Sequence, residues 1–185
     1  MPHIEIIQPE QASGPLKTIY DDIQQSRGKI AEVHKIQSLN PDSIVKHMEL
    51  YMTVMFGRSP LKRKQREMMA VVVSRANGCR YCQTHHAEAV NHYWKDQAKT
   101  EQLKEDYRKL DLSPSDRALC DYAWLLTKNP ESAEQENITT PLAETGLSDR
   151  AILDATLVIS YFNFVNRMVL ALGVYLEEEP GGFNY

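Results

Sequence analysis

Nowhere does the chain alternate apolar and polar residues with the period of two that marks a half-buried strand bounded by turns. Its patterning is helical. Pro15 to about Arg27 reads as one helix, ended near Gly28, and Asn40-Pro41 opens another that runs to about Phe56 and stops at Gly57. Ser59-Pro60 is expected to open a third, carrying the apolar run Met68 to Val73 and stopping at Asn77-Gly78. Ser113-Pro114, with Asp116 at the third position after the cap, opens a helix to about Lys128, and Ser148 starts a long last one predicted to end near Glu177, before Pro180. Ser or Asn caps followed by proline, and stops at glycine or proline, are the punctuation that backbone chemistry favours at helix ends. Residues 95–112 are dense in charge and read as a solvated helix, whereas 129–141 read as a polar connector. The sum is an all-α chain of about eight helices.

The last long helix is apolar on most sides, which predicts burial and, in a chain of 185 residues, partial cover by another subunit. It carries one polar stripe, Thr156, Ser160, Asn163 and Arg167, expected to face a subunit interface or a cavity. Met48, Met52 and Met55 with Tyr51 form a second stripe, read as core packing with an adaptable substrate channel as the alternative.

Composition narrows the function classes. A net charge of −4 and a pI near 5.9 give no electrostatic footprint for nucleic acid or an anionic membrane. The longest greasy segment, Leu157 to Leu176, is broken by Asn163, Asn166 and Arg167, so no membrane span is expected. The N-terminal residues lack a signal-peptide pattern, which makes a reduced cytoplasmic compartment the default. No glycine-rich phosphate loop is present. Three cysteines are too few for a disulfide framework, so a close pair points to redox or metal chemistry.

The chemistry concentrates in EMMAVVVSRANGCRYCQTHH, residues 67–86. Cys79 and Cys82 are spaced i, i+3 and Cys82 and His86 i, i+4, so all three share one helical face. Asn77-Gly78 puts the cysteines at a helix start, where unpaired N–H groups favour thiolate. A thiolate attacks peroxides and disulfides, and the other cysteine can close the sulfenic acid to a disulfide. Glu67 lies ten residues before Asn77 and His86 eight after Gly78, so in an antiparallel hairpin the carboxylate can reach the imidazole and orient it as a proton relay. His85 lies off that face and is expected to be solvent-facing or structural, and Cys120 a buried helix residue. Two plainer readings stand beside the redox one. The cysteines could be small core hydrophobes. Cys79, Cys82, His86 and His92 could be zinc ligands, though only three residues separate Cys82 from His86 where a zinc finger has roughly a dozen.

Glu67, eleven residues, then Cys79-x-x-Cys82-x-x-x-His86 resembles the signature of the alkylhydroperoxidase D-like proteins of the carboxymuconolactone decarboxylase superfamily. VVVSRANGCRYCQTHHAEAV and YFNFVNRMVLALGVYLE resemble its peroxidase-related branch. The resemblance implies a single all-helical, oligomeric domain, with residues 1–39 as an arm with its own helices and 40–178 as the family-like core. It implies a CxxC-dependent peroxidase with no metal or organic cofactor. Cys82 would be the peroxidatic thiolate, Cys79 the resolving and more exposed thiol, and Glu67 and His86 the relay. Its partners would be an organic hydroperoxide or other small molecule, a thiol/disulfide reductant, and further copies of the chain as a dimer, trimer or hexamer. The residue before the second cysteine departs from the best-studied members: Tyr81 replaces a histidine, and a tyrosine does not titrate near neutrality. Two rival functions remain, a decarboxylase-like lyase using His86 and Glu67 for acid–base work, and a non-enzymatic or zinc-binding helical domain.

Overall fold

The apolar run Met68 to Val73 decides the architecture, because all six residues are at most 1% exposed. A helix carrying such a run has no solvent face and must be wrapped by others. The computed structural model describes residues 2–177, in which the regular elements are helices. They are α1 Gly14–Arg27, α2 Glu32–Lys35, α3 Pro41–Tyr51, α4 Arg63–Asn77, α5 Arg80–Trp94, α6 Gln97–Asp106, α7 Pro114–Lys128, α8 Thr140–Glu144 and α9 Asp149–Leu172. α4 is the central one, packed against α5, α7 and α9. A smaller cluster, Leu16, Tyr20 and Ile23 with Ile44, seats α1 on α3.

Most expected boundaries stand, and the exceptions have physical causes. Ser59-Pro60 does not open α4. The segment is a loop, because Arg66, 6% exposed, gathers its carbonyls. Nη1 donates to Val54, Met55 and Gly57 oxygens at 3.3, 2.9 and 3.0 Å, and Nη2 to Leu61 at 3.0 Å. Ser59 Oγ instead accepts the Leu61 amide, and α4 starts four residues after Ser59. The same guanidinium holds the end of a single π-helical turn, Met52–Phe56, that continues α3. The charged stretch at 95–112 forms only α6 and a 3-10 turn at Tyr107–Lys109, and the connector at 129–141 includes a 3-10 turn at Pro130–Glu134.

α9 ends at Leu172 rather than near Glu177. Gly173 adopts φ +66°, which favours glycine, and a Cβ there would lie 2.8 Å from the His3 ring. His3 lies against this end, donating its amide to Leu172 O at 2.9 Å and hydrogen-bonding Ala171 O through Nδ1 at 3.0 Å. Residues 174–177 therefore leave the helix and turn back over α5, while the expected Pro180 stop and the end of the 40–178 core lie outside the described residues.

By length and composition alone α9 is apolar enough to cross a membrane, contrary to expectation. Its Ala155, Val158, Ile159, Phe162 and Val165 nevertheless pack in the core. It is buried on one face only, leaving Leu153, Leu157, Phe164 and Leu170 between 43% and 54% exposed. The stripe Thr156, Ser160, Asn163 and Arg167 does not face a cavity. Thr156 meets the Tyr122 hydroxyl, Asn163 meets Asn77 and Thr127, and Ser160 and Arg167 lie at the surface.

Replacing Arg66 takes the guanidinium donor from the Val54, Gly57 and Leu61 carbonyls, while Met55 O keeps Arg63, and an unsatisfied buried polar group costs about 1–3 kcal/mol. Arg66→Met is expected to lower the unfolding free energy by about 3–5 kcal/mol, the range for removing one side of a buried charged network, read as a lower urea midpoint.

Candidate active site

The turn between α4 and α5 builds the site. Gly78, at φ +72°, donates its amide to Arg75 O at 3.1 Å, and Cys79 donates to Ser74 O at 2.8 Å. This is the paired-bond stop in which a left-handed glycine satisfies the last carbonyls of a helix. It leaves Cys79 as the N-cap residue of α5 and Cys82 one turn in. The two helices run back antiparallel from this point and bring Glu67 to His86, with Oε2 2.6 Å from Nδ1.

Glu67 is fully buried, and a buried carboxylate needs compensation. Its other oxygen accepts from Arg63 Nε at 2.8 Å and from Nη2. Burial alone would raise its pKa, but the His86 imidazole and the Arg63 guanidinium outweigh that and hold the carboxyl below its ordinary value. Arg63 is itself fixed by the Met55 carbonyl at 3.2 Å and by the Phe56 ring, 3.5 Å from guanidinium carbon to ring centroid. Arg63 was absent from the sequence expectations although its i, i+4 spacing to Glu67 was a readable signal. With Nδ1–H committed to the carboxylate, Nε2 is the basic nitrogen of His86. Phe162 packs edge-on against that ring at 4.4 Å.

Cys79 and Cys82 are free thiols, and both are buried, at 1% and 3% exposure. The expectation that Cys79 is the more exposed thiol is therefore corrected. Its N-cap position turns it into the α4–α5 junction, and Cys82 is the one that lines a cavity. The Cys79 thiol is pulled below its usual pKa by the Cys82 thiol beside it, against burial, with help from the Cys82 and Tyr81 amides at the helix start. The Cys82 thiol is pushed well up by its place next to Cys79 and by burial, with the Asn166 amide acting the other way. The pair thus favours a single negative charge, carried first by Cys79.

The cavity has a volume of about 80 Å³, enough for several waters or a small organic group. One wall is α5, presenting Tyr81, Cys82, His85 and His86. His85 is not solvent-facing. It is 9% exposed, and its Nε2 lies 2.7 Å from Glu177 Oε2. Glu177 also accepts from the Tyr81 hydroxyl at 2.9 Å and the Glu32 amide at 3.1 Å. Thus α5 carries two adjacent histidines, each with its own carboxylate. The opposite wall comes from the arm and from α3 and α9: His34, His47, Tyr51, Tyr161 and Phe162, with Met48. Of the expected methionine stripe, Met48 and its neighbour Tyr51 reach the cavity, Met55 is in the core and Met52 is 41% exposed. Burial holds His34 near a pKa of about 3 and His47 near about 4, so both are neutral at physiological pH. The sequence reading missed His34, His47, Tyr161 and Glu177, because no local spacing links them to the CxxC segment. Among the described residues no three His, Cys, Asp or Glu side chains converge as metal ligands, so Cys79, Cys82, His86 and His92 do not form a zinc site there.

An all-helical protein with a CxxC pair at a helix start, beside a carboxylate-held histidine, defines a thiol-bearing helical class. Residues 45–93 match the carboxymuconolactone decarboxylase family. An uncharacterized peroxidase-related protein from Silicibacter sp. TM1040 is 30% identical, with a TM-score of 0.84 over 98% of this chain and 96% of that one. The alkylhydroperoxidase AhpD core protein from Ralstonia eutropha JMP134, also described as an uncharacterized peroxidase-related protein, is 23% identical with a TM-score of 0.85, covering 96% and 93%. The debrominase Bmp8, also known in complex with 2,3,4-tribromopyrrole, is 20% identical with a TM-score of 0.78, covering 95% and 92% in its apo form. No curated protein matches the sequence. The chain belongs to the alkylhydroperoxidase D-like and carboxymuconolactone decarboxylase superfamily.

The Glu177 contacts generate a pH dependence. Burial opposes ionisation of this carboxyl, but the His85 and Glu32 hydrogen bonds prevail and lower its pKa from 4.5 to about 2. A depressed folded-state pKa means stability fully present above the unfolded value and lost as pH falls through the folded one. Wild type is therefore expected to exceed Glu177→Gln in unfolding free energy at pH 7 by at most about 3 kcal/mol. The difference should shrink as pH falls from about 4.5 towards about 2, followed by urea titrations across that window.

Proposed function

We propose that the protein is a CxxC-dependent peroxidase that reduces a small organic hydroperoxide in this cavity. The observation that carries the reading is that Cys82, with His86 one turn on, lines the cavity while Cys79 sits directly behind it at the helix start. The pair gives up its first proton more readily from Cys79, and one proton then remains between the two sulfurs. Shifting it onto Cys79 exposes the Cys82 thiolate to the cavity. That thiolate attacks the terminal peroxide oxygen, the O–O bond breaks, and the leaving alkoxide takes the Cys79 proton, relayed by His86, to become the alcohol. The Cys79 thiolate then attacks Cys82 sulfenic acid, forming the disulfide and expelling hydroxide, which is protonated to water. The balance is one hydroperoxide and two thiols to one alcohol, one water and one disulfide, and an external dithiol restores the pair. His86, oriented by Glu67, is the proton carrier for these steps.

The aromatic lining favours one further substrate class, a small halogenated aromatic. Its reduction would consume the same two thiols and release halide. A decarboxylase-like lyase would instead turn over with both thiols intact.

Single-turnover oxidation by cumene hydroperoxide, followed by intact mass, tests the reading. Wild type is expected to lose two hydrogens with no added oxygen. Cys82→Ser should not react, Cys79→Ser should stop at sulfenic acid, and Glu67→Gln should slow the first step by roughly 10²-fold with the product unchanged. Rapid sulfenic acid formation on Cys79 in Cys82→Ser would reverse the assignment. A wild-type rate no faster than that of a free thiol would overturn the reading.

The reading includes a homo-oligomer that covers Leu153, Leu157 and Phe164, exposed together on one face of α9, since apolar patches on helices mark association surfaces. Sedimentation is expected to show a species larger than the 21.2 kDa chain at micromolar concentration. Phe164→Glu should shift it towards monomer, and a wild-type monomer would remove this part of the reading.

A further inference from the structure

The cavity wall opposite the thiols contains a chain of hydrogen bonds whose direction can be worked out. Gln37 Nε2 lies 2.7 Å from Val33 O and 2.8 Å from His47 Nδ1. A carbonyl accepts only, so the Gln37 atom facing it is the NH2 group, and the same group donates to His47 Nδ1. Ser43 Oγ donates to Asn40 O at 2.7 Å and lies 3.3 Å from the Gln37 oxygen, so the Val33 carbonyl is what orients the amide. His47 is neutral, because burial depresses its pKa to about 4. With Nδ1 accepting, its single proton must sit on Nε2. Nε2 lies 2.6 Å from Tyr161 Oη, so His47 is the donor in that bond and Tyr161 the acceptor.

The Tyr161 hydroxyl proton is then left over. Among the described residues Oη has no second hydrogen-bond partner, and Tyr161 lines the cavity shared with Cys82 and His86. The side chain is only 6% exposed, and a buried hydroxyl proton without an acceptor is unfavourable. Burial also keeps that proton in place, holding the phenol well above its ordinary pKa, so the group is a donor and not a base. The wall around it is mostly aromatic, with His34 and His47 kept neutral by burial, and two cations, Lys29 and Arg27 stacked on Tyr51, also line the cavity.

We infer that Tyr161 is a hydrogen-bond donor aimed into the cavity, fixed in that sense by Gln37 and His47, and that it selects a small, mainly apolar ligand by an acceptor oxygen. Resting on the peroxidase reading, that oxygen is the one bonded to carbon in the hydroperoxide. It becomes the leaving alkoxide, and a pre-oriented donor stabilises the charge as it develops. Cys82 at one wall and Tyr161 at the other then divide the peroxide, the thiolate taking the terminal oxygen and the phenol holding the inner one.

Two measurements separate this inference from the function it serves. Acetophenone labelled at its carbonyl carbon is a non-reactive probe with one acceptor oxygen, and infrared difference spectra read its stretch in the cavity. The expected result is saturable binding with a stretch at lower wavenumber in wild type than in Tyr161→Phe. Placing 3-fluorotyrosine, a stronger donor of nearly the same shape, at position 161 should lower the stretch further. Equal stretches in the three proteins, or no saturable binding to wild type, would overturn the inference. In single turnover with cumene hydroperoxide, Tyr161→Phe is expected to react about 10²-fold more slowly, the effect of removing one donor from a developing oxyanion, and still to end as the disulfide. An unchanged rate would overturn the leaving-group role. A wild type inert to hydroperoxide that still shifts the carbonyl would remove the peroxidase reading and support Tyr161 as the donor.

Discussion

A negative charge with no access to water sits at the centre of this fold. Glu67 lies on α4, the helix that every major neighbour covers, and it remains ionised only because Arg63 takes one oxygen and His86 the other. Each partner carries a consequence. Arg63 must stay close to Phe56 and the Met55 carbonyl, which fixes the π-helical turn at the end of α3. His86 must present Nδ1, which fixes its tautomer and turns α5 so that Cys82 meets the cavity. Removing one partner leaves a buried charge half-compensated, the situation in which ion pairs matter most. The hairpin turn at Gly78 is placed to satisfy both: it ends α4 and starts α5 so that residues 67 and 86 lie level.

The thiol pair repeats that constraint on a smaller scale. Two buried sulfurs three residues apart hold one negative charge more readily than two, so acidity and access fall on different atoms. Cys79 has the helix-start amides and the lower pKa, and Cys82 has the cavity. In the proposed cycle the lower pKa of Cys79 serves the second step, because the thiol that closes the disulfide is the one that releases its proton more easily. Reactivity of a cysteine depends on thiolate character and exposure together, and in this pair the two properties trade places by movement of a single proton. The sequence expectation placed exposure on Cys79, since an N-cap residue is often at a surface. In this fold the residue is 1% exposed because α4 and α5 close over the junction.

What the sequence made legible follows from what is local. Helix starts with Asn-Pro and Ser-Pro caps at 40 and 113, stops at Gly28, Gly57 and Gly78, and the level meeting of Glu67 with His86 are consequences of residues a few positions apart or symmetric about one turn. The misreadings are mostly tertiary. Ser59-Pro60 has a good local starting signature, but Arg66 captures the carbonyls of that loop and delays the helix. The C-terminal end of α9 has a local mark in Gly173, which the apolar pattern running on to Glu177 overrode, and His3, from the other end of the chain, ties that end down. His85 was expected to be solvent-facing or structural, and the first of these alternatives is the one that fails. The tail that supplies Glu177 is 92 residues away, and it turns what would be a solvent-facing imidazole into a wall of the cavity.

These long-range contributions divide the site into two parts with different sources. Arg63, Glu67, Cys79, Cys82 and His86 all lie within residues 45–93, the segment that matches the decarboxylase family. His34 comes from the arm, Tyr161 from α9 and Glu177 from the segment after it, all outside that match. The first group needs fixed spacing, because a helix start, a shared helical face and a hairpin register each tolerate no insertion. The second group needs only to close a cavity, which different side chains can do at different positions. The geometry of this chain therefore constrains the proposed thiol chemistry more tightly than the molecule that receives it, and the fold alone fixes neither. In this chain the non-thiol wall is mostly aromatic, with neutral His34 and His47, the oriented Tyr161 hydroxyl and the cations Arg27 and Lys29, which favours a compact molecule bearing an acceptor oxygen and disfavours a cationic one.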